Sequence, residues 1–122
     1  MENIYKGKTG FKRVCNAMLC SLDGLRAAAR HEAAFRQELV LAAILIPAAF
    51  LVSAGVVGKA LMIFSVLLVL IVELLNSAIE SAVDHTSLEH HPFAKRAKDM
   101  GSAAVLVSLL NVVMVWLVVL LN

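Results

Sequence analysis

Three stretches of the chain carry almost no polar residue, and they set the architecture. Leu39–Val57 holds no charge. Ala60–Val72 continues as Leu74–Leu75 after a single Glu73, and Ala103–Leu121 is again uncharged. A membrane-crossing helix needs ~20 apolar residues, so the first and third runs qualify directly. The middle run reaches ~16 if Glu73 is accommodated near one interface. Pro47 falls inside the first run, where a membrane helix tolerates it better than a soluble one, with a kink. Gly55 and Gly58 mark the turn between the first two spans.

The segment before these runs has a different rhythm. Phe11, Val14, Met18, Leu22, Leu25 and Ala29 recur at helical spacing, while Lys12, Asn16, Asp23, Arg26 and Arg30 fall mostly on the other side. This pattern predicts an amphipathic helix lying in the headgroup plane, basic side toward anionic lipid. A surface helix packed on protein is the compatible alternative. The predicted architecture is therefore an all-α membrane protein in one domain, residues 1–122. It has a surface helix over about 9–35 and transmembrane helices over about 39–57, 60–82 and 100–121. Three spans make a thin bundle, and packing alone favours an oligomer.

Composition sharpens the picture. Of 122 residues, 61% are hydrophobic and 16% charged, against roughly 45–50% and 25% in soluble domains. So short a chain cannot bury that much apolar side chain in one soluble core. Chemistry is then expected from the helices and the short segments between them. The first ten residues are polar, so no cleavable signal peptide is expected. The net charge of +2 is mild, but seven of the eleven Lys and Arg precede residue 37 and three more lie at 95–98. Basic residues mark cytoplasmic segments, which predicts a cytoplasmic N-terminus and an external C-terminus. No basic tract alternates with aromatics, so a nucleic-acid partner is not expected. Cys15 and Cys20, spaced CxxxxC, match neither a redox pair nor a zinc site.

The polar residues inside the apolar segments carry the candidate chemistry. Glu73, Asn76, Glu80 and Asp84 fall within roughly 80° of one another on a helix, a stripe running from the bilayer toward the cytoplasm. A lipid-facing carboxylate costs at least ~2.5–3.5 kcal/mol, so the stripe should face protein or a wet cavity. It could serve as interhelical hydrogen-bond glue or as a site. Glu32 and Glu38, just before the first span, could add oxygen ligands for Mg²⁺, which takes one or two carboxylates plus substrate phosphates. Equally, Glu32 and Arg36 could be a routine i,i+4 ion pair. Lys95, Arg96 and Lys98 could bind phosphate or merely fix orientation. His85, His90 and His91 lack metal-ligand spacing and read as solvated loop residues. Neither GxxxxGK[ST] nor GxGxxG occurs. Physics alone thus leaves a lipid-headgroup enzyme and an ion-conducting bundle both open.

Three strings narrow this. Glu32-Ala-Ala-Phe-Arg-Gln-Glu38, Glu73-Leu-Leu-Asn-Ser-Ala-Ile-Glu80 and Arg96-Ala-Lys-Asp-Met-Gly-Ser-Ala-Ala104, with Gly24-Leu-Arg-Ala-Ala28, occur in order. Together the chain resembles the prokaryotic integral-membrane diacylglycerol kinase family from about residue 9 onward. The resemblance implies a homotrimer in the bacterial inner membrane, N-terminus cytoplasmic and C-terminus periplasmic. It implies transfer of the γ-phosphoryl group of MgATP to the primary hydroxyl of diacylglycerol, giving phosphatidate.

The resemblance also implies roles for individual residues. Glu73 matches the catalytic base, and Glu32 and Glu80 match the Mg²⁺ ligands. Glu80, Glu32, Arg13, Cys20, Glu89, His90 and His91 fall at nucleotide-contacting positions, as do Lys98 and Asp99, with Lys98 on the phosphates. Cys20 stands where the family often has Tyr or another aromatic, and Asn16 where it has a Lys. Acceptor-site positions are Arg13, Ser21, Arg26, Ala34, Phe35, Arg36, Gln37 and Glu38, then Glu73, Asn76, Ser102 and Trp116. The alternatives are an undecaprenol kinase of the related branch, or a non-enzymatic ion-conducting bundle lined by Glu73, Glu80 and Asp84.

Overall fold

The computed structural model describes residues 10–86 and 91–122, and every element in them is α-helical. Helix α1 runs Gly10–His31, α2 Ala33–Leu51, α3 Val56–Thr86 and α4 Pro92–Leu120. The last three are long and apolar enough to cross a membrane.

Helix α1 is amphipathic as its spacing predicts. Phe11, Val14, Met18, Leu22 and Leu25 are all exposed, and Ala28 alone is buried. Its apolar stripe is not used to pack on the bundle, as a helix resting on an interface requires. The helix ends at His31, short of the expected 35. Glu32 is extended (φ −113°, ψ 107°), and α2 restarts at Ala33. The corner is held by a side chain. Arg36 Nη1 donates to the Ala29 carbonyl at 2.9 Å and to the Arg30 carbonyl at 3.2 Å. Carbonyls in the last turn of α1 lack helical partners, and a guanidinium that satisfies two of them favours a break there. Arg36 is thus engaged with the backbone of α1 rather than paired with Glu32.

The other boundaries move for equally local reasons. The first span ends at Leu51, not near Val57, because Val52 is extended and the turn at 52–55 follows. Lys59 Nζ donates to the Phe50 carbonyl at 3.0 Å, closing that helix end. Gly58 belongs to α3 rather than to the turn, and a Cβ there would lie 3.1 Å from Val119 Cγ1 of α4. Pro47 sits within α2 without ending it. Helix α4 begins at Pro92, eight residues before the expected 100, because two N-terminal signals coincide. Pro occupies the first turn, where a missing N–H costs nothing. His91 caps the helix, its Nδ1 accepting from the Phe93 amide at 3.1 Å.

Helix α3, with 31 residues, is about 46 Å long against ~30 Å of hydrocarbon. Its C-terminal turns therefore extend beyond the bilayer core. It packs most extensively on α4 and next on α2, while α1 meets α2. The buried face of α3 is Met62, Ser65, Val66, Val69, Glu73, Asn76 and Ser77. Opposite it lie Phe35, Glu38, Ala42 and Ala49 of α2 and Gly101 and Ser108 of α4. The core is apolar at one end of the bundle and polar at the other.

Candidate active site at the polar end of the bundle

The acidic stripe of α3 faces inward. Glu73 is 5% exposed and Asn76 8%, Glu80 is half-buried, and Asp84 is exposed. Burial thus falls steadily over eleven residues, about 16 Å of rise. Carboxylates turned to lipid would have shown the opposite.

Neighbouring helices add to the stripe. Glu38, on the second turn of α2, is also buried and feels the charge of Glu73. Glu80 and Glu32 act on Glu73 as well. Asn76 Nδ2 donates to Glu80 Oε1 at 3.4 Å. Three buried polar atoms, Glu38 Oε2, Asn76 Oδ1 and Ser77 Oγ, have no hydrogen-bond partner. Such atoms are costly in a closed core and natural in a site that receives a polar ligand.

Helix α4 brings cations to the mouth. Lys98 Nζ reaches Asp84 Oδ1 at 3.0 Å, and Lys95 Nζ reaches Asp99 Oδ2 at 2.6 Å. Beside the stripe, a cavity of about 560 Å³ is lined by Ser21, Ala28, His31 and Glu32 on one side and Leu74, Ser77 and Ser81 on the other. It joins the α1–α2 corner to α3, with Glu32 on its wall and Ser77 as the neighbour of the stripe that reaches it. Among the described residues, no three Asp, Glu, His or Cys side chains converge on one metal position. Mg²⁺ does not need them, since one or two carboxylates with phosphate oxygens and water suffice. Glu32 and Glu80 fit that requirement.

A scan of family models matches residues 19–120 to the prokaryotic diacylglycerol kinase family. The chain belongs to this family. Proteins named diacylglycerol kinase are close to it in sequence. That of Pseudomonas aeruginosa is 56% identical over 118 residues, 97% of this chain and 96% of the relative. That of Escherichia coli K12 is 47% identical over 112 residues, 92% of each. That of Helicobacter pylori 26695 is 45% identical over 107 residues, 88% of this chain and 84% of the relative.

The positions that the family resemblance singles out divide in space. Glu32, Glu38, Glu73, Asn76 and Glu80 gather around the corner and the stripe, with Lys98 at its exposed end; Asp99 pairs with Lys95 and lines a separate groove on α4. Ser21 lines the cavity, although its hydroxyl donates to the Ala17 carbonyl at 2.9 Å. Phe35 is 2% exposed and is a core residue of this fold. Ala34, Gln37 and Ser102 are exposed, as are Arg13 and Cys20 on α1. Arg26 is exposed and pairs with Asp23 at 3.3 Å. Glu89 and His90 lie outside the described residues. His91 serves as a helix cap.

Trp116 stands apart. It is seventeen residues beyond Asp99 on α4, about 25 Å along the axis. Its Nε1 donates to the Met62 carbonyl at 3.2 Å, at the opposite end of the bundle. Two site residues escape the motif reading. Ser77 lies one turn from Glu73 on the same face, and the helical arithmetic that groups the stripe would have found it. Gly101, against Asn76, carries no sequence signal of its own.

Proposed function

We infer that the chain is an ATP-dependent diacylglycerol kinase of the bacterial inner membrane, working as a homotrimer with its N-terminus cytoplasmic. The observation that carries this is the juxtaposition of a buried Glu73 with Glu32, Glu80 and an exposed cation, Lys98, at one polar end of an otherwise apolar bundle.

Each residue then has a task. Glu73 is seven residues from Glu80, ~10 Å deeper along α3. That depth suits a glycerol hydroxyl whose acyl chains stay in lipid. Glu73 accepts the hydroxyl proton as the oxygen bonds to the γ-phosphorus and the bond to the β-phosphate oxygen breaks. Asn76 holds the acceptor beside Glu80. Glu32 and Glu80 would hold Mg²⁺. The bound ion supplies charge neutralisation to the phosphates. Lys98 leaves Asp84 for the transferring phosphate and balances its charge. Phosphoryl transfer asks mainly for such positioning and charge balance. The bias of Lys and Arg toward the N-terminal segment and residues 95–98 supports the orientation. The exposed apolar faces support assembly into an oligomer.

One assay tests the reading. Purified protein is given labelled ATP and Mg²⁺ with diacylglycerol or undecaprenol in separate mixtures. Phosphatidate alone is expected. Polyprenyl phosphate alone would move the acceptor to the related branch. Neither product, together with voltage-driven flux in planar bilayers, would make the bundle a conductor.

A further inference from the structure

Gly101 lies on α4 at the level of Asn76 and is buried. A Cβ built on it would overlap Asn76 Oδ1 and lie 3.3 Å from Asn76 Cγ. That oxygen therefore sits nearly along a Cα–H bond of Gly101. It is buried and accepts no conventional hydrogen bond, and a Cα–H is a weak donor suited to this geometry. The other end of the same carboxamide donates to Glu80 Oε1 at 3.4 Å. The amide is thus gripped between the backbone of α4 and the carboxylate of Glu80. Asn76 is 8% exposed, and its short side chain keeps the carboxamide close to the α3 backbone.

The same pair of helices offers an internal comparison. Gly58 of α3 meets α4 at the far end of the bundle, where a Cβ would find Val119 Cγ1 at 3.1 Å. There the neighbour is an apolar methyl. At Gly101 it is a polar atom of the site.

We propose that Gly101 is a positioning residue for the phosphoryl transfer: the absence of its side chain lets the backbone of α4 close on Asn76 and aim the carboxamide at Glu80 and the acceptor hydroxyl. The proposal rests on the kinase reading above. It gives the glycine a role distinct from helix packing, because what it contacts is an atom of the site.

The test is Gly101→Ala in the full-length protein, assayed beside Gly58→Ala, Asn76→Ala and Gly101→Ala/Asn76→Ala. Displacement of a positioning group by about 1 Å costs up to ~10²-fold, so kcat of Gly101→Ala is expected to fall at least about tenfold. Its KM for MgATP should stay within about threefold of wild type, the split expected when a group acts in the chemical step. Gly58→Ala should retain wild-type kcat. Thermal stability supplies a second readout. Ala is the better helix former, so relief of helix strain alone would raise Tm. The overlap with Asn76 should instead lower Tm in Gly101→Ala, and the same change on the Asn76→Ala background should raise it. That reversal is the signature of direct coupling.

Should Gly101→Ala fail to assemble, the double variant decides. Assembly regained there assigns the defect to the overlap with Asn76, and assembly still lost overturns the proposal. Unimpaired kcat in Gly101→Ala, or an equal Tm change on both backgrounds, also overturns it. Wild-type protein that makes no phosphatidate overturns the kinase reading itself, an outcome distinct from wild-type turnover with an unimpaired Gly101→Ala.

Discussion

In the proposed reaction Glu73 is the proton acceptor, and its surroundings support that role. It is buried, with the carboxylates of Glu80 and Glu32 near enough to act on it. General-base catalysis contributes about 10²–10⁴-fold, so Glu73→Gln should lower kcat by at least ~10² while assembly persists. Phosphatidate formation and native mass measured on the same preparation check both halves. Asp84 is expected to act more gently. It holds Lys98 at 3.0 Å with both side chains well exposed. Exposed ion pairs contribute about 0.2–1 kcal/mol. Asp84→Asn should therefore release Lys98 and lower the KM for MgATP by up to about fivefold, measured by initial rates across ATP concentration. A raised KM would mean that Asp84 itself orients the lysine for nucleotide.

Among the elements, α3 does most of the work, because one helix carries both the apolar core and the polar site. Met62, Ser65, Val66 and Val69 pack its N-terminal half, and Glu73, Asn76 and Ser77 line its C-terminal half. Helix α4 must therefore keep its register against α3 at both ends. Gly101 sets the approach at the site. Trp116 pins the other end through its hydrogen bond to the Met62 carbonyl, which also accepts from Ser65 Oγ at 2.7 Å. In Trp116→Phe the ring is kept and the donor lost. Stability should drop by about 1 kcal/mol, the usual net worth of one such bond, read as a lower thermal midpoint in detergent. An unchanged midpoint would mean that packing of the ring alone holds that end. The α1–α2 corner is the third structural device. It exists because Arg36 crosses it, and it places Glu32 on the wall of the cavity.

Seen whole, the chain is unfinished as a single copy. Phe50, Leu51, Val56 and Val57 near the α2–α3 turn, and Leu106, Val113 and Met114 on α4, all remain exposed. Lipid can cover such a surface, but among the described residues only seven hydrophobic ones are buried within one copy. A trimer is therefore expected, and native mass spectrometry from lipid nanodiscs should give three times 13.1 kDa. A monomeric mass together with full turnover would place the whole site in one chain.

The apolar runs, at their lengths and spacing, determined three membrane spans by themselves, since the cost of unsatisfied backbone in lipid leaves helix as the only form such runs can take. The spacing of Phe11 to Leu25 likewise made α1 amphipathic, and the period of 3.6 put Glu73, Asn76 and Glu80 on one face. The boundaries were harder to read. A break at Glu32 depends on Arg36 reaching back six and seven residues, and the early start of α4 depends on a histidine cap. These are contacts of individual side chains, to which average hydropathy is blind. Which face of α3 meets α2 and which meets α4, that Glu38 lies against Glu73, that Lys98 rests on Asp84, and that Trp116 is remote from the site were decided by tertiary structure alone. Helical periodicity specifies direction around one axis. Only the packing of four axes specifies which residues meet.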